Sequence, residues 1–228
     1  LFSRIKQYDD AERYLQRALE VSLTHRVYES LGSVYNNLGV VNDIRGKKEE
    51  ALRWYSRALI VQQKQGNRRG MASIYHNRAI IYNQKGEYQK AIENQRLSLQ
   101  LKQSIGDEEG MANAYSLMAD ILIGMGHFDE AFFNAQKALN MAEAGGFSIV
   151  EADAHRHLAD IYRMTNRYKE AVPHLQRFIA LKDTLYNERV SRQLSEMQAR
   201  YEVKQKAQEN QILRQRISLQ EAQNQSRE

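Results

Sequence analysis

An alanine recurs every forty residues along this chain, at Ala11, Ala51, Ala91, Ala131 and Ala171. Other positions keep the same step. Gly39, Ala79, Ala119 and Ala159 form a series of small residues. Gly46, Gly86 and Gly126 form a second that ends on Asn166, and Gly66, Gly106 and Gly146 form a third. Tyr35, Tyr75 and Tyr115 lead to His155 in an aromatic series, and Tyr8, Tyr88, Phe128 and Tyr168 form another, interrupted by Lys48. A period of this length, held over most of a chain, dictates a stack of like units, each burying its apolar face on its neighbours. It also turns the question of function toward an extended surface rather than a catalytic pocket.

Within one period the apolar residues follow a helical step. Val34, Tyr35, Leu38 and Val41 recur at that spacing, and Leu52, Tyr55, Ala58 and Leu59 do so again after Gly46. Two amphipathic helices with a glycine between them make a hairpin. Gly39 and Ala51 are small because closely crossing helices leave no room for more than a methyl group. Tyr35 and Tyr55 are expected to fill the gaps between hairpins.

The order of small, Gly, Ala, aromatic and Ala residues, here Gly39, Gly46, Ala51, Tyr55 and Ala58, resembles the tetratricopeptide repeat. The step is longer than that family's usual one of about 34 residues. The extra length is assigned to both helices and to linkers such as Gly66–Ala72 and Gly106–Ala112. The long form resembles the arrays of bacterial peptide-sensing regulators, kinesin light chains and cell-polarity scaffolds. The resemblance implies an all-α fold: a right-handed α-α superhelix, or solenoid, followed by one long C-terminal helix. Residues 1–24 then supply the second helix of a truncated repeat, so the chain is expected to begin inside a longer protein. Four hairpins follow at about 27–65, 67–105, 107–145 and 147–181, and residues 182–228 form a polar helix and possible coiled-coil stalk. Pro173 falls near the start of a second helix, where a missing N–H costs least.

Composition narrows the function. The chain has no cysteine, which removes disulfides, thiolate metal sites and cysteine nucleophiles. No run approaches a membrane span, and no signal segment opens the chain. A net charge of +5 comes from interspersed rather than clustered side chains, so no nucleic-acid partner is expected of these residues. His155 and His157 lie on different sides of a helix and cannot share a metal, and His155 takes the place of a packing tyrosine. No metal ligand set, cofactor or catalytic constellation is read, and no enzyme activity is expected.

In the fold that the resemblance implies, the first helix of each hairpin lines the concave face. Register then places Asn36, Asn37, Val40 and Asp43 there, followed by His76, Asn77, Ile80 and Asn83. Ser116, Asp120 and Ile123 come next, and then Arg156, His157, Asp160 and Arg163. Asn37 and Asn77 match the asparagines with which related arrays hold a peptide backbone, one amide offering both donor and acceptor. Leu117 and His157 break that match in the later units. Arg156 and Arg163, about two turns apart, form a candidate grip for an acidic group.

After the repeats, Leu181, Leu185, Leu194, Met197 and Tyr201, then Ile212, Leu213, Ile217 and Leu219, make a thin apolar seam suited to a homodimer. The segments 181–188, 194–202 and 204–214 resemble the stalk that follows the repeats in bacterial sensor histidine kinases. The combined reading is a peptide- or protein-binding module serving as the sensory region of a two-component system. A change in superhelix shape would pass to an output domain through the C-terminal helix. The alternatives are a stand-alone scaffold or adaptor and the sensing half of a DNA-binding regulator. A membrane enters only through a segment beyond residue 228. The array is extracytoplasmic if such a segment follows and cytoplasmic otherwise.

Overall fold

The structure, a computed structural model, describes residues 2–25 and 28–225. It contains helices and no strand among those residues. The helices are α1 (Phe2–Thr24), α2 (Leu31–Ile44), α3 (Lys48–Lys64), α4 (Arg68–Gln84) and α5 (Tyr88–Ser104). They continue with α6 (Glu108–Met125), α7 (Phe128–Gly145), α8 (Ser148–Met164) and α9 (Tyr168–Gln225). The chain divides into an array, Leu1–Ile179, and a helical unit, Ala180–Glu228. No helix among the described residues is long and apolar enough to cross a membrane.

Consecutive helices of the array pack in pairs as a right-handed solenoid. Two 17-residue helices such as α4 and α5, with short turns, account for the period. The turns are reset by the glycine series. Gly46, Gly66, Gly86, Gly106, Gly126 and Gly146 all have φ between 65° and 78°, and Asn166, the exception to the series, has φ 60°. That left-handed conformation costs an L residue energy that glycine escapes, and asparagine tolerates it best of the rest. Asn67 and Asp107 then cap the next helix, each accepting from the N–H of a glycine three residues on, at 3.0 and 2.9 Å. These caps correct one expectation. Residues 68–72 and 108–112 are helix rather than linker, so the extra length of the repeat lies in the helices.

The first helices α2, α4, α6 and α8 approach one another closely in sequence, whereas α3 and α5, and α5 and α7, do not. The first helices therefore form the inner side of the array. Its core is built of alanine methyls and branched side chains: Ala51, Ala58, Ala91, Ala131 and Ala138 have no exposed surface, nor do Leu38, Ile74, Ile81, Ile121 and Leu158. Tyr35 stacks on Trp54, with ring centroids 5.7 Å apart, and Tyr55 lies under Gly39; both also join the cluster that holds Ile74 and Ile81 of α4, so they fill the gap to the next hairpin as expected.

Polar side chains tie the pairs together, which the hydrophobic period did not reveal. Gln95 is fully buried, donates to the carbonyl of Ala114 at 2.9 Å and lies 3.2 Å from His76 Nδ1. Ser98 Oγ donates to the carbonyl of Ala72 at 2.8 Å. Gln95→Leu takes away the second hydrogen bond to the Ala114 carbonyl, which keeps its bond within α6, and leaves His76 Nδ1 facing an apolar side chain. Its expected cost is about 2 kcal/mol, read as a lower urea midpoint with an unchanged slope.

The fourth repeat runs into the tail without a break, because α9 is continuous across residue 182. Pro173 sits inside α9, past its first turn, rather than among the free N–H groups at the helix start. In the unit from Ala180, Tyr186, Val190, Leu194 and Met197 are 61%, 43%, 53% and 64% exposed and recur at steps of four, four and three. Of the expected seam, Leu194 and Met197 are in this exposed row, Leu181 and Leu185 are half-buried, and the side chains of Tyr201, Ile212, Leu213, Ile217 and Leu219 lie outside the described residues.

Candidate binding surface

The inner face has two halves of different character. In the first, Ser33, Asn36 and Asn37 stand on one side of α2, at the spacing that aligns side chains along a helix. Arg69 and Ser73 face them from α4. Between the two helices lies a pocket of about 390 Å³ that these residues line. Asn77, one turn beyond Ser73 on α4, donates to Asn36 Oδ1 at 3.4 Å, a long bond that leaves most of both amides free for other partners. Asn37 is exposed. Arg69 was missed in the sequence because Gly66–Ala72 reads as a linker; the Asn67 cap is the signal that turns it into helix, and it also sets the register that brings Ser73 to this face.

The second half is bonded to itself. Asn83 donates to Asp120 Oδ2 at 2.8 Å. Asp120 Oδ1 also lies 3.4 Å from His157 Nε2 and 4.0 Å from the Arg156 guanidinium. His157 above all, with Arg156 and Asn83, outweighs burial and holds the Asp120 carboxyl below the usual carboxylate range. Ser116 Oγ sits 3.4 Å from His157 Nδ1. Ser116 and His157, expected on the open face, are only 6% and 2% exposed, because α6 and α8 close on each other here. Arg156 also approaches Asp153 at 3.8 Å and Asp160 at 3.7 Å, and Arg163 pairs with Asp160 at 3.1 Å. The two arginines are thus neutralised by neighbouring aspartates instead of forming a joint anion grip.

The remaining candidates are engaged as well. Asp43 pairs with Lys48, which reaches Gln84 of the next repeat. His76 is half-buried; burial, helped by Lys102 and opposed by its bond to Gln95, pushes its pKa down to about 4, so the ring is neutral at pH 7. Val40, Ile80 and Ile123 are half-buried between the polar residues.

Outside this face, the structure brings together groups that sequence spacing kept apart. His155 Nδ1 lies 2.8 Å from His174 Nδ1 of α9, and Glu143, Glu151 and His155 place ligand-type atoms within 4.8 Å of one another. Glu151 already accepts from Arg177 at 2.8 Å, so a side-chain cation meets part of that cluster's charge.

Known proteins place this geometry. The tetratricopeptide-repeat family model matches residues 1–64 and 70–144, and a second model of the same description matches residues 154–186. No curated protein matches the chain. Among solved structures, BtubC (BKLC) from P. vanneervenii is similar with a TM-score of 0.70 at 18% identity, covering 81% of this chain and 76% of that one. A Rap protein complexed with Competence and Sporulation Factor is similar with a TM-score of 0.67 at 18% identity, over 78% of this chain and 50% of that one. MamA from Desulfovibrio magneticus RS-1 is similar with a TM-score of 0.57 at 16% identity, over 79% and 89%.

Proposed function

Because the chain belongs to the tetratricopeptide-repeat family, we propose that it is a non-enzymatic module that binds a peptide or an extended protein segment along the first helices of its array. The observation that carries this reading is the unspent amide surface between α2 and α4. Asn36, Asn37 and Asn77 offer donors and acceptors beside a pocket, while the rest of the inner face is satisfied internally. The Rap structure, which holds a bound factor on a similar fold, supports the same use. The binding site is thereby narrowed to the front of the groove, and Asp120, Arg156, His157, Asp160 and Arg163 become the bonds that set its curvature.

The test is selection of random twelve-residue peptides on the chain, followed by fluorescence anisotropy with the peptides recovered. An Asn37→Ala/Asn77→Ala variant is expected to bind them at least about tenfold more weakly, the loss of one to two hydrogen bonds. Arg163→Ala is expected to bind as the parent does. Selected peptides indifferent to Asn37 and Asn77 would sink the site assignment.

A finer reading makes the array the sensory region of a two-component histidine kinase, with ligand-dependent curvature passed on through α9. It is supported by the likeness of the 181–214 segment to such stalks and by the continuity of α9. It requires a ligand that prefers one curvature over another. The competing use is assembly. The exposed row Tyr186, Val190, Leu194 and Met197 suits a two-helix seam, which favours a homodimer through the tail.

A further inference from the structure

The floor of the α2–α4 pocket is Gln62, which reaches up from α3. It is 3% exposed, and its Oε1 has no hydrogen-bond partner. A buried polar atom left so gives up its bonds to water for nothing and calls for an explanation. The surroundings show that the position is built. Gly32 and Gly70 flank the carboxamide, and a Cβ on either would fall 2.4 Å from Nε2 or 2.6 Å from Oε1. Both glycines are helical with ordinary φ, so backbone conformation does not require them. Ala72, Ala112 and Ala152 hold the Gly32 slot in the later repeats. The Gln62 slot changes too, to Lys102 and then Ala142. Within the array, the room and the amide occur together at this one junction.

The walls define what fits. Ser33, Asn36, Asn37 and Ser73 each can donate or accept, Arg69 brings a positive charge, and no carboxylate lines the pocket. Gln62 Oε1 needs a donor. An ammonium or guanidinium would meet Arg69 with no counter-charge, so the donor is neutral. It must also carry an acceptor for Arg69 and the hydroxyls. A carboxamide does both, and it pairs with another carboxamide through two reciprocal hydrogen bonds. The terminal torsion of glutamine is soft, so a small rotation of Gln62 brings its oxygen to face an occupant.

We propose that this pocket recognises the carboxamide of a glutamine or asparagine side chain, with Gln62 as its amide partner. The inference rests on the peptide-binding reading and deepens it: the carboxamide is carried by a bound peptide. Free glutamine or asparagine offers the same chemistry and is tested alongside.

The experiment uses the peptides recovered by selection, their Gln→Met or Asn→Leu analogues, and the variant Gln62→Met, which keeps length but removes the amide. On the parent chain the apolar analogue is expected to bind about tenfold to a hundredfold more weakly. On Gln62→Met that difference shrinks to less than about threefold, the coupling a double-mutant cycle isolates. Because Gln62→Met also removes an unpartnered buried oxygen, its melting temperature is expected to equal or exceed the parent's, so the variant tests binding and not folding. In parallel, millimolar L-glutamine and L-asparagine are added in a thermal-shift assay. A shift present in the parent and absent in Gln62→Met assigns the pocket to the free amino acid and keeps the carboxamide chemistry. Peptides that bind through Asn37 and Asn77 but tolerate loss of every carboxamide overturn this inference and leave the peptide-binding reading intact. No selected peptide and no shift with either amino acid overturns it as well.

Discussion

Gly39→Ala is expected to destabilise the first hairpin by about 2 kcal/mol, although alanine fills the same slot at 79, 119 and 159. Taken alone, the change should help, since alanine exceeds glycine in helix propensity by about 1 kcal/mol. The sign is reversed by Tyr55. A Cβ on Gly39 would lie 2.4 Å from the Tyr55 ring, and that ring is 1% exposed with no space into which to retreat. The forty-residue step puts Gln95, Ala135 and Leu175 in the Tyr55 slot of the later repeats. Each is smaller than tyrosine, so the residue pair changes together and conserves the fill. The double change Gly39→Ala/Tyr55→Gln copies the second repeat. It is therefore expected to be more stable than the sum of the two single changes by about 1–2 kcal/mol. Trp54, the chain's single tryptophan, stacks on Tyr35 and gives a local fluorescence signal for this hairpin. A local signal is needed because repeat arrays need not unfold as one unit. If Gly39→Ala unfolds at or above the parent's urea midpoint, Tyr55 moves more freely than its burial implies.

The array is also expected to lose stability as pH falls from 6.5 to 4. His76 has a pKa of about 4 in the fold against 6.5 for a free histidine, mainly because burial disfavours its charged form and Lys102 repels it. Between those values the unfolded chain binds a proton that the folded chain refuses. Stability then rises with pH through this window and falls on acidification. For His76 the full loss is about 3 kcal/mol once the pH is below 4. His155, lowered by burial and by His174 beside it, and His174, lowered by burial, act in the same direction. Asp120 contributes in a lower window: its depressed carboxyl stabilises the fold at neutral pH, and that contribution disappears as pH falls through its folded pKa. Melting curves between pH 4 and 7.5 measure the slope. His76→Gln is expected to flatten it by the largest single amount, and an unchanged slope would show that the His76 ring takes up its proton without unfolding.

The repeat, its hairpins and the turn glycines were legible in the linear chain because each rests on local chemistry repeated in register. A glycine at positive φ, an alanine at a close crossing and apolar residues at helical spacing look the same in every unit. The inner face was legible only as a set of positions. Asn37, Asn77, Arg156 and Arg163 all occupy first helices, yet their fates differ: the amides stay largely free, and the arginines are spent on Asp120, Asp153 and Asp160. Register placed Ser116 and His157 outward by analogy with the earlier units, and the closer approach of α6 to α8 buried them. Gln62 carried no signal at all until Gly32, Gly70 and the pocket above it were seen together.

The amino-acid sequence by itself determined that this protein is a solenoid of helical hairpins, because a forty-residue step of small, aromatic and turn residues has no other way to bury its apolar faces. Which polar groups on that scaffold remain free to bind was decided only by the tertiary structure. Bonds between residues some forty positions apart, such as Asn83 with Asp120 and Asn36 with Asn77, depend on how far one repeat rotates against the next. That rotation is set by the summed fit of many side chains across each junction, which no single position in the chain records.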